Sequence, residues 1–529
     1  MIKYFKRLIF GKAEYTKILF AFVFIGMVFI PLIRMFSYMD ADSIRNVVNS
    51  PVFGRAVTGS LVSAVLGTLI TVAVAFLLAL CIKRTNIKLK GLFEIIFVLP
   101  MLLPSISHGM GLVILLGNNG ILTRLLGLNT NIYGLGGIIA GSVLYAFPVA
   151  YLMLSDVLHY EDGSAYEAAA VLGIPKFRQF TAIMLPFLRK PLISVFFSVF
   201  TMIITDYGVP LMVGGKYTTI ASVMYQEVIG QLNFSKGAAY GTFLLIPAVI
   251  AFILDLINKD RGNSGYVTRP CAISKKPLFC GASYLYCGTV AVITLLPLVA
   301  FVVLAFAKNY PNDLTFTVEN VLKTFQLRAG DYYLNSLLIA ACTAVVGTVI
   351  AFMTAYLSAR MKSKLSRFLH LSSMTSAAIP GIVLGLSYVL VFQKTPIYGT
   401  VVILILVNIV HFIASPYLMI YNSMCKINEN LEDVAHTMGI YRSRLIRDVL
   451  IPQCKGTILE MMTFFFVNCM MTISAVSFLA NTGNKPISLM INQFEAQMQI
   501  EYAAVVSLVI LATNLLIKGV SRVLRSKKA

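Results

Sequence analysis

Few residues in this chain are of types that do covalent or metal chemistry, and none is spaced for it. The five histidines have no partners at metal-ligand spacing. The eight cysteines (81, 271, 280, 287, 342, 425, 454 and 469) form no C-x-x-C pair and read as free thiols. No nucleophile–base pair is recognisable, and the phosphate-cradling G-x-x-x-x-G-K-[ST] loop is absent from the sequence. What remains are polar residues inside apolar stretches, where they are costly and therefore candidates for function. Asp206 leads, in Thr205-Asp206-Tyr207-Gly208-Val209-Pro210. The equivalent stretch later in the chain, Thr472 to Ser477, carries the hydroxyls of Ser474 and Ser477. A carboxylate and Tyr207 opposite those hydroxyls would line an asymmetric polar cavity. The competing assignment is a carboxylate at the external interface, solvated or paired with Lys216. His108 follows the proline-bearing turn 100–104 and could reach the same cavity, although a hydrogen-bonded packing histidine is the simpler role, as for His411.

The elements that must position these residues follow from composition. The chain has 529 residues, of which 58% are hydrophobic and 12% charged, with a mean hydropathy of +0.83. Soluble domains carry about 25% charged residues, because their outer shell faces water. An all-α membrane protein with many spans is expected. A helix needs about 20 apolar residues to cross the hydrocarbon core. Such stretches lie near 18–36, 57–82, 92–116, 135–158, 190–213 and 238–258, then near 279–307, 334–358, 367–392, 398–421, 456–480 and 501–520. That makes twelve spans, six plus six. The first follows Lys3, Lys6, Arg7, Lys12 and Lys17, lacks a small-residue cleavage site, and is expected to be retained.

With the N-terminus inside, 32 of the 43 Lys and Arg fall in cytoplasmic segments, which places both termini in the cytoplasm. The net charge of +21 is then a topology signal and a contact for anionic lipid, and no nucleic-acid partner is implied. The polar, basic segment 259–277 reads as a cytoplasmic linker between a first half, 1–258, and a second, 278–529. The halves resemble each other. Ser60-Leu-Val-Ser-Ala-Val-Leu-Gly67-Thr68 matches Ser336-Leu-Leu-Ile-Ala with Val-Val-Gly347-Thr348, and Pro104 and Pro380 interrupt the third span of each. Both start inside, so the repeat is parallel.

The most specific pattern lies in the basic loops after the fourth and tenth spans, 159–189 and 425–455. The first reads Tyr166-Glu167-Ala168-Ala169-Ala170-Val171-Leu172-Gly173, then Ile183-Met184-Leu185-Pro186. The second reads Glu432-Asp433-Val434-Ala435-His436-Thr437-Met438-Gly439, then Leu450-Ile451-Pro452. In both, an acid stands six residues before a Gly and a Pro thirteen after it, at a common offset of 266. Small residues after the acid suit a short, smooth helix, the acid complements its positive end, and Gly ends it.

Here the chain resembles the inner-membrane permeases of type I ABC importers, the binding-protein-dependent family, whose coupling loop has this E-A-A, three residues, G pattern. The second copy departs from it at Asp433, Val434 and Val449. The resemblance implies that Glu167, Ala168, Ala169 and Gly173, with Asp433, Val434, Ala435 and Gly439, dock on a separate ABC ATPase, one copy per loop, which binds ATP and Mg. It also implies an extracytoplasmic solute-binding protein, a bacterial inner-membrane location, and no cofactor or enzyme activity in this chain. Among fused permeases, the stretch from Asp206 through Gly214-Gly215 to Tyr225–Phe234 looks most like the 2-aminoethylphosphonate group, then the ferric-iron and thiamine groups. An ion-coupled secondary transporter with two six-span repeats is the alternative, and the missing catalytic cluster argues against a membrane enzyme.

Overall fold

The computed structural model describes residues 13–127, 131–258, 269, 271–310 and 312–526. Lys3, Lys6, Arg7 and Lys12, and residues 259–268 and 270 of the expected linker, lie outside the described residues.

In lipid a backbone N–H or C=O finds no water, so each apolar run satisfies its own polar groups by coiling. The main helices are α1 (Glu14–Tyr38), α2 (Pro51–Arg84), α3 (Ser105–Leu116), α4 (Leu135–His159), α5 (Leu185–Thr205) and α6 (Phe234–Asn258). There follow α7 (Pro277–Ala305), α8 (Gly330–Ala359), α9 (Gly381–Phe392), α10 (Val401–Phe412, continued by Ala414–Cys425), α11 (Lys455–Met471) and α12 (Ile500–Ser526). Among the described residues nine helices are long and apolar enough to cross a membrane, α3 being counted with its continuation to Leu126. Two bent pairs raise the number to eleven if each is one span: Lys364–Ala378 meets α9 at 109°, and the two parts of α10 meet at 54°. The remaining expected position, α11, has only 17 residues. A two-stranded antiparallel hairpin, Ala307–Asn309 with Asp313–Phe316, is the one sheet among the described residues.

Two expected spans stop early. The stretch 190–213 is helical only to Thr205, and 456–480 only to Met471, again at an offset of 266. Asp206 (φ −77°, ψ 133°) and Thr472 (φ −67°, ψ 137°) both turn extended. Hydropathy misses these breaks because the chain stays apolar beyond them. What breaks the first is local capping: the Asp206 carboxylate accepts from Gly208 N (3.3 Å) and Val209 N (2.9 Å), which starts the separate helix Gly208–Val213.

Other contacts recur across the halves. Ser60 Oγ accepts from Ile220 N at 2.8 Å, and Ser336 Oγ accepts from Ile487 N at 2.7 Å. Pro104 and Pro380 both precede their helices at φ −56°.

The opening helix of each half leans on the other half. α1 packs on α9 and on the helix Lys364–Thr375, where Tyr388 Oη donates to Met27 O at 2.9 Å and the Phe29 and Phe368 rings lie 6.1 Å apart. α7 packs on α12 of its own half and also on α2 and α3: Tyr286 Oη donates to Val74 O at 3.3 Å, and a Cβ on Gly111 would stand 2.7 Å from Pro297 Cβ.

Candidate functional site

The two loops that carry the acid–glycine pattern have one backbone geometry. The helix Ser164–Val171 ends at Gly173 with φ +67°, and Leu431–Thr437 ends at Gly439 with φ +68°. In the first, Gly173 N donates to Ala170 O (3.1 Å) and Ile174 N to Ala169 O (2.9 Å). In the second, Gly439 N donates to His436 O (3.1 Å) and Ile440 N to Ala435 O (2.8 Å). This pair of bonds is the closure that a left-handed glycine gives a helix end. Each is followed by a short helix, Lys176–Gln179 or Arg442–Leu445, and a π-helical turn.

Ala169 and Ala435 face inward, whereas Glu167, Ala168, Asp433 and Val434 face outward. The turns present apolar side chains to solvent: Leu172 is 75% and its counterpart Met438 69% exposed. Apolar tips in a polar loop are the composition of a docking surface.

Each loop is held to its half by an arginine from the end of a long span. Arg84, closing α2, pairs with the buried carboxylate of Glu161, to which Tyr166 Oη also donates. Burial, then the Glu161 carboxylate, pushes the Tyr166 phenol up, so it stays a donor. Arg360, just past α8, donates to Glu432 Oε1 (2.8 Å) and Oε2 (2.5 Å), to Ile427 O (2.7 Å) and to Asn428 O (2.5 Å). Sequence reasoning missed both arginines. The available signal was their spacing: they share the offset of 276 that relates Ser60 to Ser336.

The first loop has a further support. Arg269 Nη1 donates to Glu167 Oε2 at 2.7 Å, Gly163 N donates to Arg269 O at 2.8 Å, and Ser274 N donates to Arg84 O at 2.8 Å. The described end of the linker therefore runs along this loop.

Of the intramembrane candidates, Tyr207 and Ser477 meet where α5 and α11 break. Tyr207 is buried, its hydroxyl 2.6 Å from Ser477 Oγ, and its ring stacks on Tyr225 at 4.7 Å. Asn492 Nδ2 donates to Tyr225 Oη at 2.8 Å, and the Phe478 ring lies 6.2 Å from that of Tyr225. Residues of the first half thus bond residues of the second across a seam. Asp206 is half-buried beside it and forms no ion pair with Lys216 among the described residues. Ser474 lies apart from Ser477. It abuts the break before α9, where a Cβ on Gly381 would come within 2.3 Å of its Oγ and 2.9 Å of the His411 ring. His108 is buried, with Nδ1 3.2 Å from Pro104 O, its ring 5.8 Å from that of Tyr145, and no partner for Nε2 among the described residues. No group of His, Cys, Asp and Glu among the described residues could hold a metal ion.

Comparison with known proteins agrees with this geometry. The chain is similar to a Haemophilus influenzae protein named as a ferric transport system permease, 26% identical over 453 residues that cover 82% of this chain and 71% of the relative. It is similar to the ferric transport system permease protein FbpB of Actinobacillus pleuropneumoniae, 26% identical over 441 residues, 78% of this chain and 63% of the relative. It is also similar to the thiamine transport system permease protein ThiP of H. influenzae, 25% identical over 416 residues, 74% of this chain and 73% of the relative. The profile of the family described as binding-protein-dependent transport system inner membrane component matches residues 67–259 and 347–529. Those matches span most of the chain and include both loops and both breaks, and the chain belongs to that family.

Proposed function

We propose that this chain is the whole membrane pathway of an ATP-driven importer, with one copy of a separate ATPase docked on each loop. The observation that carries this is the duplicated loop: the same helix, the same left-handed glycine and the same exposed apolar tip, once per half. A helix of small residues with an outward acid fits a groove closely, so movement of the groove is passed to α5 and α11. ATP and Mg stay on the partner. A binding protein delivers solute from outside, and the seam at Tyr207 and Ser477 opens in alternation with the cytoplasmic side. Both termini lie in the cytoplasm of an inner membrane. The solute is 2-aminoethylphosphonate or a related phosphonate, on the resemblance of the 206–234 stretch; ferric iron and then thiamine follow, supported by the names of the relatives.

Purification of the chain from its host membrane should bring down an ATPase subunit, and the reconstituted complex should take up solute only with ATP. Uptake driven by an ion gradient without any ATPase would replace this reading with a secondary transporter.

The orientation is tested at Cys425, an exposed thiol that ends α10 at the second loop. A membrane-impermeant maleimide should label it in inverted vesicles and leave it unlabelled in intact cells. Labelling from outside would reverse the topology.

For Asp206→Asn, volume and one capping oxygen are kept, so the complex should assemble normally. Uptake of amine-bearing 2-aminoethylphosphonate should fall about tenfold, the equivalent of about 1.4 kcal/mol of lost attraction. Unchanged uptake across the concentration range would leave Asp206 as a helix cap only.

A further inference from the structure

We propose that Lys518 is a binding group for an anionic oxygen (phosphonate, phosphate or carboxylate) in the inner half of the pathway. The inference rests on the importer reading and adds a ligand class to it. Sequence alone counts Lys518 with the cytoplasmic charges at the C-terminus. The structure turns it inward instead.

Ser507, Asn514, Lys518, Ser521 and Arg525 recur at helical spacing along α12 and form one polar face. That face looks into the contact between the halves. Ser507 Oγ lies 3.0 Å from Ser107 Oγ, Asn514 Nδ2 donates to Leu102 O at 2.9 Å, and Lys518 Nζ reaches Met101 Sδ at 3.9 Å. Below them Ser521 Oγ accepts from Thr463 Oγ1 of α11 at 2.9 Å, and Arg525 pairs with Glu460. The opposite face, with Leu515, Leu516 and Val520 exposed, is apolar and suited to lipid.

So the ammonium stands against the proline break before α3, in the first half, while carried by the last helix of the second. A thioether is a weak acceptor, and among the described residues Lys518 has no carboxylate within salt-bridge reach. Two buried atoms near the same break are also without partners among the described residues, Asn514 Oδ1 and His108 Nε2. A charge inside a membrane protein is expensive unless something compensates it, and such residues mark pathways for ions and solutes. The compensation missing here is an anion that comes and goes. An oxyanion suits the site because an ammonium offers three donors in free rotation.

The same chemistry could come from a lipid headgroup, since Lys518 is eight residues, about 12 Å, from the end of α12. The experiment separates the two sources. The full chain with its ATPase is reductively methylated with 13C-formaldehyde, which preserves lysine charge, and placed in nanodiscs of phosphatidylcholine. The Lys518 signal is assigned by its absence from Lys518→Arg. Titration with methylphosphonate should shift that signal saturably in the millimolar range, and exchange of phosphatidylcholine for phosphatidylglycerol should leave it in place. A signal that moves with phosphatidylglycerol and ignores methylphosphonate identifies a lipid anchor and overturns the proposal, as does one that responds to neither. If the parent complex shows no ATP-driven uptake, the importer reading fails by that result, while the titration still reports whether the site takes an oxyanion.

Discussion

Gly173→Val and Gly439→Val should each reduce uptake at least tenfold while the helices still insert. Both glycines hold φ near +67°, a region that costs an ordinary residue about 1–2 kcal/mol and a β-branched one more. A Cβ at either position would meet nothing within 4 Å, so the substitution strains the backbone without a clash and leaves the core untouched. Relief of that strain requires the turn to unwind, which tilts the segment leading into α5 or α11 away from the docked partner. The second loop has the less regular sequence, and Gly173 would by that criterion be the more sensitive site. The matching φ values and closure bonds argue for equal sensitivity. Asn enters left-handed backbone more readily than other residues, so Gly173→Asn should retain much more uptake than Gly173→Val. Uptake and bound ATPase, measured for the four single variants Gly173→Val, Gly173→Asn, Gly439→Val and Gly439→Asn, decide the point. Parental rates in both valine variants, with the ATPase still bound, would remove these loops from the coupling machinery.

Arg360→Met should be the most damaging single change outside the membrane. The arginine side chain is 3% and its partner Glu432 16% exposed, and the guanidinium also satisfies two carbonyls at the end of α10. Removal of one member of a buried pair strands the other charge, at a cost of about 3–5 kcal/mol. The second loop, 425–455, should become open to protease and release its ATPase, while the first loop keeps its own arginine at Arg84. Adding Glu432→Gln should recover part of the lost melting temperature, because the stranded carboxylate is then gone. An unchanged melting temperature and protease pattern in Arg360→Met would mean that other contacts hold the loop.

The loops were legible in the sequence because their structure is written locally. Glycine, proline and small residues at fixed spacing dictate a helix, its end and the next start, and the second copy removes coincidence. The arginines that anchor the loops were hidden, since Arg84 and Glu161, or Arg360 and Glu432, are joined only when distant spans pack. The ends of α5 and α11 were hidden for another reason. Hydropathy records the polarity of side chains and not the path of the backbone, and the chain past Asp206 and Thr472 stays largely apolar although it is no longer one helix. Ser474 was grouped with Ser477 by proximity in sequence, yet the turn between them sends one to Gly381 and the other to Tyr207. The direction of the Lys518 side chain was hidden too, since only the packing of α12 against the turn before α3 sets it beside Met101.

The exchange of opening helices alters what can move against what. If α1 travels with α9, the bodies that rock in a transport cycle are not residues 1–258 and 278–529. α1 joins α8–α12, whereas α7 bridges, packing on α2 and α3 of the first half and on α12 of its own. Chain cleaved between 259 and 268 should therefore remain a single particle in detergent, held by two interlocking arms. In the alternation proposed above, a mechanical clasp of this kind would let the seam at Tyr207 and Ser477 part on one side while the halves stay joined at their flanks.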